Sequence, residues 1–531
     1  MEPVVIKEYA HKERMQTKYG ASLLPNVRFL EKHFYGWERV APYACEFLGT
    51  FFLTFTVCMC VIFGNAVWNA TAIATVLMAA IYATAPLSGG HLNPAVSVAC
   101  FLTGKESIFT MLQYIATQFL AALFAGILAY TTFIFYESDM NPVAPVGKYQ
   151  WFEASIVEAL YTAMLCFVVL NCAASERNNP EGDRNQFYAL AIGFVIIAGG
   201  YSSGRISGAF FNPAVALSVQ MLRSNIWMGF WSMLAYWVMH LAGAALGAAF
   251  FVVVRLEDYL APYAGNRSLF IKEYRPNIII RMVAELLGTF MIVFTLGLNL
   301  VQGNMAAAWA TGACVMSMTY SLSNVSGAHF NPAVTLGVCL AGRKKCHWRD
   351  AAAYFMMHIF ASILAAGLLA ILFQPTRMPG LGLGPSSGFN WTQVFYAEFM
   401  FTLFIVYVVL AVATVDTVYE VTYMRHNFYY GLAVGACYTL GGVAVGPFTG
   451  GSFNPAASIG LALHRYMSDA MGLTVQASTP EMNAGIWAPG QPELVNSFYY
   501  TIFECFGAIM AALMFHCTHA REYRWQVESN V

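Results

Sequence analysis

Charge is what this chain has least of. Only 10% of its 531 residues are Asp, Glu, Lys or Arg, where an average soluble domain has about 25%. That shortage excludes an ordinary water-facing surface. The balance of 27 Lys and Arg against 28 Asp and Glu leaves no basic field for a nucleic-acid partner. The 12 cysteines form no Cys-x-x-Cys pair and no His/Cys cluster at metal-ligand spacing, so no metal and no other cofactor is called for. Walker A and His-Glu-x-x-His are missing as well, which points away from an enzyme.

What is present is apolar. Hydrophobic residues make up 58% of the chain and come in blocks of about 20, the length that crosses a bilayer. The blocks predict twelve spans: 42–64, 67–87, 107–136, 152–174, 185–201 and 226–254, then 278–301, 305–323, 349–373, 392–415, 427–445 and 495–517. They divide the chain into an inner tail (1–40), a first unit (41–256), a linker (257–277), a second unit (278–518) and a second inner tail (519–531). The first tail has no apolar core of the kind a signal peptide carries. The fold class is therefore an all-α membrane protein.

One stretch returns four times. Residues 88–96 read SGGHLNPAV, 207–215 SGAFFNPAV, 326–334 SGAHFNPAV and 449–457 TGGSFNPAA. In each, an Asn able to cap a helix precedes a Pro suited to its first position. The triplets are Asn93, Pro94, Ala95; Asn212, Pro213, Ala214; Asn331, Pro332, Ala333; and Asn454, Pro455, Ala456. The first helix should run 94–103, with Gly104 as its stop. Ten residues reach about 15 Å, half of a hydrocarbon core. These are half-helices.

A second mark keeps the same register. Glu46, Glu158, Glu285 and Glu398, each followed four residues later by Thr, open the first and fourth span of each unit. Three spans per half is odd, so the halves must be inverted relative to each other, an arrangement that brings half-helix N-termini together at midplane. With the N-terminus inside, inner segments hold 22 of the 27 Lys and Arg, as the positive-inside rule requires. Both termini are then cytoplasmic.

The four Asn-Pro-Ala repeats and the Glu-x-x-x-Thr openings resemble those of the aquaporin (major intrinsic protein) family, over nearly all of the chain beyond its first tail. The family usually has one six-span unit per chain, and here two stand in tandem. The resemblance implies two aquaporin-like units, each of six transmembrane helices plus two half-helices, with one narrow pore through each. It further implies a homodimer in the bilayer, giving a tetramer-like set of four pores. The four Glu residues then brace the loops before the half-helices, and His91 and His329 border the inner side of each pore.

Carried over by spacing, the family's selectivity filter falls on Ile73, Gly200, Ala209 and Val215 in unit one. In unit two it falls on Thr311, Gly442, Gly451 and Ala457. The last position is usually arginine and the second commonly histidine in water-selective members. Here they are Val or Ala, and Gly. The expected function is a passive channel for water and small neutral solutes such as glycerol, urea or ammonia, through a widened filter without arginine. The alternative is a structural or array-forming protein whose pores are shut, Phe210, Phe211 and Phe448 lying near the outer mouths. A secondary transporter is the less favoured alternative. Arg205 is expected in the outer vestibule of unit one. His240, His358 and Glu504 lie in spans without an assigned role, and the outer segment 466–493 has no counterpart in unit one.

Overall fold

The computed structural model describes residues 37–65, 67–133, 143–180, 184–222, 229–373, 383–415, 428–470, 494–520 and 522–523. Among them every element is helical. Unit one comprises α1 (Ala41–Phe63), α2 (Asn69–Ser88), half-helix α3 (Pro94–Leu102), α4 (Ile108–Phe133), α5 (Trp151–Val169), α6 (Tyr188–Ser207), half-helix α7 (Pro213–Gln220) and α8 (Phe230–Val254). Two short linker helices follow, α9 (Leu256–Leu260) and α10 (Arg267–Glu273). Unit two repeats the order with α11 (Ile278–Val301), α12 (Ala307–Ser326), half-helix α13 (Pro332–Leu340), α14 (Trp348–Leu372), α15 (Trp391–Ala413), α16 (Tyr430–Thr449), α17 (Pro455–Ala470) and α18 (Leu494–Thr518). Eleven of these helices are long and apolar enough to cross a membrane. The remaining 20-residue helix, α12, is the most polar, with two Thr and four Ser.

Several helices outrun their hydrophobic blocks. The span expected to end at Tyr201 continues to Ser207. Ser202 and Ser203 donate to the Ala198 and Gly199 carbonyls, 2.6 and 2.8 Å away, and so remain helical despite their polarity. The true stop is Gly208, whose φ of 94° only a glycine adopts without strain. Gly89, Gly327 and Gly450 end α2, α12 and α16 the same way, with φ of 89°, 98° and 98°.

Two other expectations change. The fourth half-helix, α17, has 16 residues against eight or nine in the other three, because no break interrupts the run from Ile459 to Leu463. The outer segment expected over 466–493 therefore begins as helix, and 471–493 lie outside the described residues, as do the tail 1–36, Arg223 and Arg377. The linker is also tied more tightly than its charges suggest. Arg255, two residues before it, is fully buried, its Nε 2.7 Å from Asn171 Oδ1 in unit one and its Nη2 2.8 Å from the Ser321 carbonyl in unit two.

Within the chain the units meet along α5 and α6 on one side and α11 and α12 on the other. Asn299 Nδ2 donates to Ser202 Oγ at 2.7 Å, Gln302 Nε2 to the Ser202 carbonyl at 2.6 Å, and Ser317 Oγ to the Ala191 carbonyl at 3.0 Å. Tyr161 Oη and Thr295 Oγ1 are 2.9 Å apart. In a hydrocarbon setting such polar contacts fix the register between helices that apolar packing alone leaves free to slide.

Candidate functional site

The half-helices meet head to head. In unit one Asn93 Nδ2 donates to the Phe211 carbonyl and Asn212 Nδ2 to the Leu92 carbonyl, both at 3.0 Å. In unit two Asn331 donates to Phe453 at 2.8 Å and Asn454 to Phe330 at 3.0 Å. Each Asn thus does two jobs. Its Oδ1 caps its own half-helix, accepting from the backbone N–H two residues on at 2.8–3.0 Å. One N–H of its amide crosses to the opposing loop; the amide's second donor is left for the lane in Asn93 and Asn212, which border the cavity of unit one, and meets Tyr438 Oη at 2.9 Å in Asn331.

Holding that geometry strains the backbone. The residue before each Asn sits in the left-handed region: Leu92 at φ 49°, Phe211 at 50°, Phe330 at 53° and Phe453 at 49°. Such positions cost on the order of 1–3 kcal/mol each and persist only where surrounding bonds enforce them. The repeated Glu residues supply those bonds. Glu46 Oε1 accepts from Ser88 Oγ and His91 N at 2.8 and 2.9 Å, and its Oε2 from Leu92 N and Gln118 Nε2 at 2.8 Å. Glu158 takes Ser207 Oγ, Phe210 N, Phe211 N and His240 Nε2 at 2.5–3.0 Å. Glu285 takes Ser326 Oγ, His329 N, Phe330 N and His358 Nε2 at 2.5–3.0 Å. The accompanying Thr residues do not enter these loops; Thr162 and Thr402 instead face Gly243 and Gly507 where helices cross closely.

Here lies a third repeat that the sequence reading missed. Tyr114, Tyr236, Tyr354 and Tyr500 each donate to a loop carbonyl, at Ser88, Ser207, Ser326 and Thr449. Four residues after each stand Gln118, His240, His358 and Glu504. This Tyr-x-x-x-X pattern was visible in the sequence. It explains His240 and His358 as donors to the bracing carboxylates. The fourth copy departs, because a second carboxyl, Glu504, stands where the others offer an amide or imidazole N–H. Glu398 accepts from Phe453 N at 2.9 Å, while Glu504 turns to Asn454 N and Ser458 Oγ at 2.8 and 3.0 Å. Glu398 Oε1 and Glu504 Oε2 are buried without a hydrogen-bond partner.

A cavity of about 340 Å³ runs through unit one between the half-helices. It is bordered by His91, by Asn93 and Asn212, and by Ile73, Gly200, Ala209 and Val215. Arg205 also borders it and is exposed, with Nη1 3.5 Å from the Gln302 carbonyl. Phe210 also borders the cavity, whereas Phe211 is buried against Tyr161. Gly200 has a second reason to be glycine: a Cβ there would lie 2.8 Å from that of Ala70 on α2. In unit two the corresponding cavity is about 30 Å³. Thr311, Gly442 and Gly451 line it, and Ala457 is buried outside it. His329 Nδ1 lies 2.9 Å from Thr335 Oγ1, as His91 Nδ1 lies 3.1 Å from Ser97 Oγ. Phe448 stacks on Phe389 with ring centres 4.6 Å apart.

Opposed half-helix N-termini facing a water-sized lane define a membrane protein of the pore-forming kind. Residues 34–252 and 272–471 each match the Major intrinsic protein family, and the chain belongs to that family, with two of its units in tandem. Over 214 residues it is 37% identical to Aquaporin NIP1-4 of Oryza sativa subsp. japonica, covering 39% of this chain and 74% of that protein. Over 217 residues it is 30% identical to Nodulin-26 of Glycine max, covering 39% and 75%. The solved aquaglyceroporin of Plasmodium falciparum aligns with 45% of this chain and 96% of its own, at 18% identity and a TM-score of 0.35.

Proposed function

We propose that this protein is a passive channel for water and small uncharged solutes, glycerol, urea and ammonia among them. The observation that carries the reading is the cavity of about 340 Å³ between Asn93 and Asn212, many times the roughly 15 Å³ one water requires. Half-helix N-termini contribute about half a positive charge each and disfavour cations at the midplane. Neutral solutes need only a donor, which the second amide N–H of Asn93 and of Asn212 supplies. Val215 stands in the wall where the family's arginine would be, so the filter is apolar and wide. No carboxylate borders the cavity among the described residues, which favours a channel over an ion-coupled transporter. The test is flux in proteoliposomes. Glycerol or urea gradients should give shrinkage followed by reswelling, with solute entry linear in concentration. Saturable entry would favour a transporter, and shrinkage without reswelling a strict water pore.

The Glu braces serve this function by holding the loop carbonyls still, and the positive-inside count supports cytoplasmic termini. A homodimer completes the assembly. Of the apolar windows of α5 and α6, which lie on the side facing unit two, 78% and 72% are buried within the chain, whereas α1, α2, α15 and α16 keep only 39%, 22%, 44% and 39% buried. A two-fold copy would lay α15 and α16 of one chain on α1 and α2 of the other, repeating the in-chain contact. Native mass spectrometry should then find two chains, and a dominant monomer would contradict it.

A further inference from the structure

The two units carry the same loops and half-helices but not the same opening. The difference concentrates at one side chain. Sixteen residues before its second Asn, unit one has Ile196 and unit two has Tyr438. Ile196 borders the large cavity. Tyr438 borders the small one, and its Oη lies 2.9 Å from Nδ2 of Asn331. An Asn amide has two N–H donors. Asn331 spends one on the Phe453 carbonyl at 2.8 Å, and Tyr438 takes the other. The phenol oxygen therefore sits where a passing water would have to sit.

The surrounding helices agree with this. Asn93 and Asn212 both border the cavity of unit one, whereas the lining of the small cavity in unit two includes Tyr438 and neither Asn331 nor Asn454. The walls also stand closer. A Cβ on Gly435 of α16 would lie 2.5 Å from the Gly312 carbonyl of α12, so these helices touch backbone to backbone. At the position of Gly312 unit one has Ala74, nineteen residues before its first Asn as Gly312 is before Asn331. Its methyl adds bulk at the crossing where unit two has none.

We infer that unit one conducts and that Tyr438 shuts unit two, so each chain provides one open lane and one closed one. The inference rests on the channel reading and adds which half carries the flux and which residue decides it. Full-length protein in proteoliposomes, followed by stopped-flow light scattering under a sucrose gradient, tests it with a reciprocal exchange. Ile196→Tyr should bring water permeability down to that of protein-free vesicles. Tyr438→Ile should roughly double it per chain. The double variant should regain a rate near that of the wild type, now through unit two, which also shows that Ile196→Tyr folds. Half the flux left in Ile196→Tyr, together with no gain in Tyr438→Ile, would overturn the inference and show that both lanes conduct. If wild type and Tyr438→Ile alike matched empty vesicles, the channel reading itself would fall, and the inference with it.

Discussion

Leu92, Phe211, Phe330 and Phe453 hold a backbone conformation that their side chains disfavour, and they hold it at one register in four copies. What permits this is a buried carboxylate that accepts hydrogen bonds from the loop N–H groups. Removing it should be severe. Glu46→Ala leaves two loop N–H groups, Ser88 Oγ and Gln118 Nε2 without their acceptor, a loss of roughly 3–5 kcal/mol for a broken buried network. The expected outcome is a large fall in melting temperature in detergent together with loss of flux; an unchanged melting curve would contradict it. The fourth cradle makes the opposite prediction. Glu504→Gln replaces an acceptor with the donor that Gln118 supplies in the first copy, and offers Glu398 the partner it lacks. The variant should melt higher than the wild type, whereas an equal or lower melting temperature would show that the Glu398–Glu504 pair is not a liability. The bracing role of Glu was legible through the family resemblance that its repeated spacing helps to carry. The role of Tyr114, Tyr236, Tyr354 and Tyr500 was equally present in the sequence, yet a Tyr within an apolar span looks like ordinary filling until its hydroxyl is seen on a carbonyl.

At the scale of helices, hydropathy located every expected span on a helix but ended several too early. Serine and threonine in α2, α6, α12 and α16 return their hydroxyls to their own helices, so the polar run is still helix. The left-handed glycine is the more faithful stop signal. Close crossings are the second thing that composition hides. A Cβ on Gly243 of α8 would lie 2.5 Å from the Ala159 carbonyl of α5 and 2.7 Å from Thr162 Cβ. Gly243→Leu should therefore cost at least about 1–3 kcal/mol by overpacking, read as lower thermal stability and poorer recovery of folded protein. Tolerance of leucine there would mean that α5 and α8 can separate, contrary to the crossing described. Helix rotation is the third. That Tyr438 faces the lane while Phe211 turns into the core depends on how α16 and the loop before α7 are set by their neighbours, which no periodicity in a nearly all-apolar helix specifies.

For the whole molecule, repeat intervals and the odd number of spans per half made two inverted-repeat units legible, because spans and half-helices are read from length and caps. How the units join was not. Arg255 reads in sequence as a charge closing the first unit beside the linker, yet it lies buried between Asn171 and Ser321 because folding brings helix ends from both units around it. Likewise the absent arginine is plain from the motif, whereas the unequal cavities are not, since they follow from packing across the fold. The central claim is that solutes larger than water pass a filter in which Val215 replaces a charged side chain. The most direct measurement compares water, glycerol and urea permeability of wild type and Val215→Arg in the same proteoliposomes. The account predicts that arginine sharply lowers glycerol and urea flux while water flux is largely kept. Wild-type vesicles that exclude both solutes, or a variant with unaltered ratios of solute to water flux, would contradict it.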